Sequence, residues 1–488
     1  MEEVELQSLM SKTAYNLIFL SLRNIGIQLI STAGFFILTL LLGTGEVGLF
    51  AVVSEAISIL GYFSDIGLAS ALIQQKEEIT KDQLQTTFFI QQTLVIIALF
   101  IVFLIYPSIS HSKSYGSKEL WIVLSLCFSF VAASLKTIPS VLLERKLNFK
   151  LISSIDVLEN ISFYLVAVIF AFFHFGAYSY AIATFFRSIL GLVLIYIFSS
   201  WPIGISFSYK VAKKLFRFGI PFQLNSFIAV AKDRLSNLLV AGILGRESFG
   251  ILSWAQKAPR IPLSQMDAIM RVTFPTFSRL QDHPEVLAKS IKRSIYYISF
   301  FVFPALAGIS LVAANVVNVI PHYNKWLPAI IPLYFFCINA AIASVTTPLT
   351  NAFNAIGKIT ITTKLMIMWT VLTWLTYPIL SIKFGFVGTS IAALIVGLSS
   401  FVVWYIAWRL FQISILKTIF HPLVASLLMI IIIFPIQLFI PDLLTRIISE
   451  IVLGVSIYAI YSYFFSRLEI KWFVNQIKIM KNANHKAF

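Results

Sequence analysis

Residues 218–280 read FGIPFQLNSFIAVAKDRLSNLLVAGILGRESFGILSWAQKAPRIPLSQMDAIMRVTFPTFSRL. The pattern predicts two apolar helices joined by the tetrapeptide GRES at 245–248. Each helix carries charge where a bilayer penalises it. Lys232, Asp233 and Arg234 interrupt the first, and Lys257, Arg260, Ser264, Asp267 and Arg271 punctuate the second. At about 100° per residue the second set falls on one narrow stripe. A charged side chain at bilayer depth costs about 2.5–3.5 kcal/mol on the insertion scale, so such residues face a bundle interior or a watery cavity. A polar stripe with a cationic end on a greasy helix points to a pathway for something anionic.

The rest of the chain fits a membrane protein. Of 488 residues, 58% are hydrophobic and 12% charged, and the mean hydropathy is +0.88. Apolar runs of about 20 residues recur from end to end, the length that spans a bilayer as a helix. Lipid offers the backbone no hydrogen-bond partner, so the runs are expected to be helices. The sequence predicts an all-α integral membrane fold of about fourteen spans. The net charge of +16 does not mark a nucleic-acid binder, because the positive residues sit in short loops and form no basic domain. Anionic membrane lipids and topology signalling account for them. Cys127 and Cys337 lie inside apolar runs with neither pairing nor metal-ligand spacing, and no cofactor or metal is expected. Met1–Ser11 is acidic and polar, without the basic start and apolar stretch of a cleaved signal.

Lys and Arg divide between alternate loops at about three to one, a positive-inside bias that places both termini in the cytoplasm. Every loop is short, which leaves no room for an extramembrane catalytic domain. The halves also repeat. LGTGEVG at 42–48 matches LGRESFG at 244–250, Pro139 matches Pro348, and Phe175-Gly176 matches Phe384-Gly385. The near-constant offset of about 205 residues predicts a parallel repeat, of the kind found in transporters with a site between the halves. The expected organisation is a cytoplasmic N-terminus (1–14), a first six-helix lobe (15–200), a cytoplasmic linker (201–214), a second lobe (215–411), two further helices (412–466) and a basic cytoplasmic tail (467–488).

Five stretches carry a family resemblance: GLFA at 48–51 with FSDIGLASALIQ at 63–74, the elbow ERKLNFK at 144–150, FGIP at 218–221 and FPTFSRLQ at 274–281. With these the chain resembles the polysaccharide transporters of the multidrug/oligosaccharidyl-lipid/polysaccharide exporter superfamily, the lipopolysaccharide O-antigen flippase type. The resemblance covers nearly the whole chain. It implies two six-helix lobes in a V with two extra helices, lying in a bacterial cytoplasmic membrane. It also implies export of a polyprenyl-diphosphate-linked oligosaccharide by alternating access, alongside other polysaccharide-assembly proteins. Such flippases place cationic residues in the cavity for the diphosphate, and Arg23 and Arg260 stand at matching positions.

The candidate cationic residues are Arg23, Arg187, Lys232, Arg234, Lys257 and Arg260. Arg23 reads either as a cavity residue or as an arginine snorkelling to the interface. Arg187 reads as cavity lining or lobe packing. Lys232 and Arg234 flank Asp233, so an internal ion pair competes with a substrate role. Arg260 lies about 18 Å from the helix end, too deep to snorkel, and Pro259 and Pro262 should bend its helix. Glu55, Asp65, Asp233 and Asp267 are candidates for charge balance or for a coupling cation or proton. Asp267 and Arg271, four apart, can pair on the helix. A diphosphate carries about two negative charges, and arginine meets it bidentately.

Three other functions compete. A multidrug antiporter of the same superfamily would need a buried acid where the first span has Arg23. A peptidoglycan-precursor flippase shares the diphosphate chemistry. A membrane glycosyltransferase or polymerase would need catalytic carboxylates on a sizeable loop, which is absent, so the chain is not read as an enzyme.

Overall fold

The computed structural model describes residues 26–467 apart from 66, 76, 114–116, 147, 438 and 466. Helices follow one another throughout, and no strand occurs among the described residues. In chain order they are α1 (Gly26–Leu41), α2 (Thr44–Asp65), α3 (Leu68–Gln74), α4 (Lys81–Lys113), α5 (Ser117–Arg145), α6 (Phe149–Phe172), α7 (Tyr178–Phe198) and α8 (Tyr209–Val230). A π-helical turn, Ala231–Leu235, leads into α9 (Ser236–Arg279), and α10 (Pro284–Val319) follows. A 3₁₀ turn, Asn324–Ala329, precedes α11 (Ile330–Ala355), α12 (Ile359–Leu398), α13 (Phe401–Phe411), α14 (Ile415–Ile436) and α15 (Leu443–Phe465).

Among the described residues, 11 helices are long and apolar enough to cross a membrane. Their outer faces carry the side chains lipid prefers, such as Phe103 on α4 and Phe464 on α15. Two of the 11 contain a turn. Gly245 (φ 79°) sits inside α9 and Gly385 (φ 62°) inside α12. Separate spans joined by short loops were expected at both places. At each place two helices meet, across a kink at one residue, and only glycine adopts that conformation at no steric cost.

Two compact units divide the described residues, 26–253 with 366–389, and 254–365 with 390–467. The cuts fall inside α9 and α12. They divide the molecule by compactness, whereas the lobes expected at 15–200 and 215–411 divide it by repeat.

In the first unit, α7 packs against α5 and α6, and α2 against α4 and α5. Leu68, Leu72, Phe88, Ile138 and Trp201 form one core, and Leu49, Ile122 and Ala181 another. Two of the stretches that carry the resemblance meet here. A Cβ on Gly67, itself at φ 74°, would strike the Gly219 carbonyl of the FGIP stretch. The elbow is tied down by Arg145. Its guanidinium donates to the carbonyls of Leu72 (2.9 Å), Gln75 (2.7 Å) and Glu77 (2.7 Å). Asn148 then starts α6, its side-chain oxygen accepting from the Leu151 N–H at 3.3 Å. Glu46 accepts from the N–H groups of Gly43 (2.9 Å) and Ala177 (3.1 Å), joining the start of α2 to that of α7.

In the second unit, α10 packs against α11, α14 and α15. Trp254 is buried and stacks on Trp326 at 5.8 Å. Its indole N–H donates to the Tyr323 hydroxyl at 2.8 Å. That satisfies the polar end of a large apolar group, as burial of tryptophan requires. Cys127 and Cys337 are free thiols.

Candidate functional site

The first unit brings three charges together at membrane depth. Lys136 on α5 meets Glu159 on α6, Nζ to Oε1, at 2.5 Å. Arg187 on α7 approaches the other carboxylate oxygen, Nε to Oε2, at 3.7 Å. Glu159 is buried, and Gly191 makes the room for it, since any Cβ there would overlap the carboxylate. The Arg187 guanidinium also lies 5.8 Å from the centre of the Phe163 ring. Two cations share one carboxylate, so the cluster carries excess positive charge.

A second cluster is built on the π turn. Adjacent residues on an α-helix point about 100° apart, so Lys232, Asp233 and Arg234 cannot share a face. In the structure two of the three pair with each other and the third reaches another helix. Lys232 pairs with Asp233. Arg234 reaches α2 and pairs with Glu55, Nη1 to Oε2, at 2.7 Å. Asn237 donates to the other Glu55 oxygen at 3.2 Å. Each cation here has its own carboxylate. A third pair lies nearer the start of α5, where Arg246 meets the buried Glu119 at 2.5 Å.

Lys257 and Arg260 belong to the second unit. Lys257 is half-buried and Arg260 exposed. Arg260 has no ion pair among the described residues. The helix runs on through Pro259 and Pro262, and Gly245 is its one non-helical residue. Asp267 is exposed, and the Arg271 side chain lies outside the described residues, as do Arg23 and the Asp65 side chain.

The sequence reading did not single out Lys136 or Glu159. Both are charges inside apolar runs, the same signal that marked Arg187, but only the packing of α5, α6 and α7 shows that the three form one group. Among the described residues no three His, Cys, Asp or Glu side chains gather where they could hold a metal ion. A cavity of about 640 Å³ between α10, α14 and α15 is lined mostly by apolar groups, with Glu450 in its wall and no cation.

Comparison with known proteins adds an independent line. Residues 37–331 match the model of a family described as polysaccharide biosynthesis protein. The chain is 25% identical over 339 residues to the lipopolysaccharide biosynthesis protein WzxC of Escherichia coli K12, covering 69% of this chain and 68% of that one. It is 24% identical over 271 residues to the teichuronic acid biosynthesis protein TuaB of Bacillus subtilis, covering 54% and 55%. Among solved structures, the fold is similar to the lipid II flippase MurJ in an inward closed conformation. The TM-score is 0.73 at 16% identity, over 93% of this chain and 98% of that one. An outward-facing multidrug transporter of the MOP superfamily is similar at a TM-score of 0.51 and 16% identity, over 81% and 94%.

Proposed function

The chain belongs to the polysaccharide biosynthesis protein family, and from that premise we propose that it moves a lipid-linked oligosaccharide across a bacterial cytoplasmic membrane. The headgroup is a polyprenyl diphosphate bearing an O-antigen, capsule or exopolysaccharide unit. Transport proceeds by alternating access, with cationic side chains compensating the diphosphate while the lipid tail stays in the bilayer. Both termini face the cytoplasm, and no covalent step is assigned to the protein. A coupling cation or proton and other polysaccharide-assembly proteins belong to the same reading.

The observation that carries it is the state of the arginines. Arg260 is exposed with no ion pair among the described residues, on a helix apolar enough to span a membrane. A guanidinium held that way in lipid would be prohibitively costly, so it faces water or an anion. The planar fork of arginine meets two phosphate oxygens with two parallel N–H donors.

The test is accumulation of lipid-linked oligosaccharide in cells with the gene deleted, complemented by wild type or by Arg260→Ala at matched membrane levels. Intermediate trapped on the cytoplasmic face, released by wild type and not by Arg260→Ala, supports the reading. Unchanged lipid-linked sugars with altered resistance to cationic drugs would instead favour a drug antiporter. Trapping of the peptidoglycan precursor alone would reassign the sugar and leave the diphosphate chemistry in place.

A further inference from the structure

The geometry around Glu159 is asymmetric. Lys136 holds one carboxylate oxygen at 2.5 Å, a short charge-assisted bond, while Arg187 stands 3.7 Å from the other, beyond hydrogen-bond reach. The exposures follow the same order. The Lys136 side chain is 20% exposed, Glu159 7% and Arg187 42%. Yet arginine is the better partner for a carboxylate, able to engage both oxygens at once. Lys136 neutralises the carboxylate from its Oε1 side and so weakens the pull on Arg187 at Oε2. Arg187 lies about 13 Å into α7, too deep for its exposed side to face lipid without large cost.

We propose that Arg187 is a phosphate-binding residue kept available by Lys136, which neutralises the buried Glu159 carboxylate that would otherwise claim the guanidinium. Lys136 and Glu159 are then positioning residues: they act on the substrate through Arg187. The Phe163 face steadies the guanidinium from behind, and the missing side chain at Gly191 lets Glu159 sit where both cations reach it. This inference rests on the diphosphate reading above.

The arrangement makes an unusual ordering of variants. Lys136→Met frees the Glu159 carboxylate, Arg187 closes on it, and anion affinity falls about tenfold. Adding Glu159→Gln to Lys136→Met removes the competitor and restores affinity to within about threefold of wild type. Glu159→Gln alone leaves Lys136 without its counter-ion, so the melting temperature falls while affinity rises a few-fold. Arg187→Gln lowers affinity about tenfold in the wild type and in the double variant, and adds little to Lys136→Met, where the guanidinium is already taken. A merely structural role for Glu159 moves stability and affinity in the same direction, so the opposite signs in Glu159→Gln are the diagnostic.

The experiment is farnesyl diphosphate binding to the purified full chain in detergent, with thermal melting measured in parallel. Rescue of Lys136→Met by Glu159→Gln, abolished again by Arg187→Gln, supports the inference. A double variant no better than Lys136→Met, or affinity that simply tracks melting temperature, overturns it. A second measurement needs no variant: farnesyl diphosphate should protect Arg187 of the wild type from phenylglyoxal, and full reactivity of Arg187 in the saturated protein would sink the idea. If the wild type binds no farnesyl diphosphate, the diphosphate reading itself fails. Binding with the wrong variant order removes only the present inference.

Discussion

Gly48 and Gly250 lie back to back. A Cβ on Gly48 would strike the carbonyl of Arg246, and one on Gly250 the carbonyl of Thr44. The contact is reciprocal, since each carbonyl belongs to the residue four before the opposite glycine. These are the two glycines that end the matching stretches LGTGEVG and LGRESFG. The backbones approach as closely as two helices without side chains permit, and Gly45 faces the Glu247 side chain one turn earlier, 3.2 Å from its own Cβ position.

Either glycine replaced by alanine should therefore destabilise the first unit. A methyl group forced against backbone has no flexible neighbour to displace, and overpacking of this kind costs about 1–3 kcal/mol. Thermal melting of Gly48→Ala and Gly250→Ala in detergent checks it. Melting temperatures unchanged from wild type would mean the two helix starts are not in contact.

Arg145 should behave as a structural residue despite its charge. Its guanidinium serves three backbone carbonyls, and hydrogen bonds involving a charged group are worth about 1.5–3 kcal/mol each. Arg145→Ala should loosen the connection between α3 and α4, and Arg145→Lys should recover only part of the loss, since an ammonium cannot span the three acceptors. Limited proteolysis at residues 75–80 reads this directly. Equal cleavage in wild type and Arg145→Ala would contradict the arrangement.

Arg234 and Arg260 should separate stability from transport. Removing Arg234 strands Glu55, whose side chain is only 16% exposed. The loss stays below the about 3–5 kcal/mol of a fully buried pair, because Arg234 itself is 45% exposed. Removing Arg260 breaks no ion pair among the described residues. The expected result is a lower melting temperature for Arg234→Ala, and for Arg260→Ala normal melting with export reduced about tenfold, equivalent to about 1.4 kcal/mol. The reverse pattern would show that the paired cation is the functional one.

Asp442 gives a pH dependence of known sign. It precedes α15 and accepts from the Thr445 N–H at 2.8 Å and the Thr445 hydroxyl at 2.6 Å. These hydrogen bonds hold its carboxyl below the usual carboxylate range. A depressed folded value means that the cap is fully effective above the ordinary value of about 4 and is lost as pH falls through the lower folded one. The protection factor at the first turn of α15, taken against the intrinsic exchange rate, should stay high at neutral pH and fall only in acid. In Asp442→Ala it should be low at all pH values. Protection in the wild type that is lost already near neutrality would refute the cap.

Much of the fold was legible because bilayer chemistry leaves few choices. Long apolar runs had to be helices, and Gly245 and Gly385 mark turns inside two of them. The tightness of those turns was not legible: GRES looks like a loop, and only backbone angles show that one residue suffices. At the candidate site, Lys232 to Arg234 announced an ion pair, but the partner Glu55 lies 179 positions from Arg234, and no periodicity relates them. Lys136 and Glu159 escaped for the same reason. Helical spacing reports which residues share a face of one helix, and their pairing is set by which helices pack together. Pro259 and Pro262 lie inside a continuing helix, as membrane helices allow where the freed carbonyls are satisfied elsewhere.

The π turn at Ala231–Leu235 has a consequence for how this chain can change length. Such a turn is an α-helix that has taken in one extra residue. The helices on either side keep their own phase, and the surplus is absorbed within five positions. Deleting one of these residues would restore an ordinary helix without rotating what precedes or follows. A lineage could thus gain or discard a charge at this depth by insertion or deletion, leaving the neighbouring packing in register.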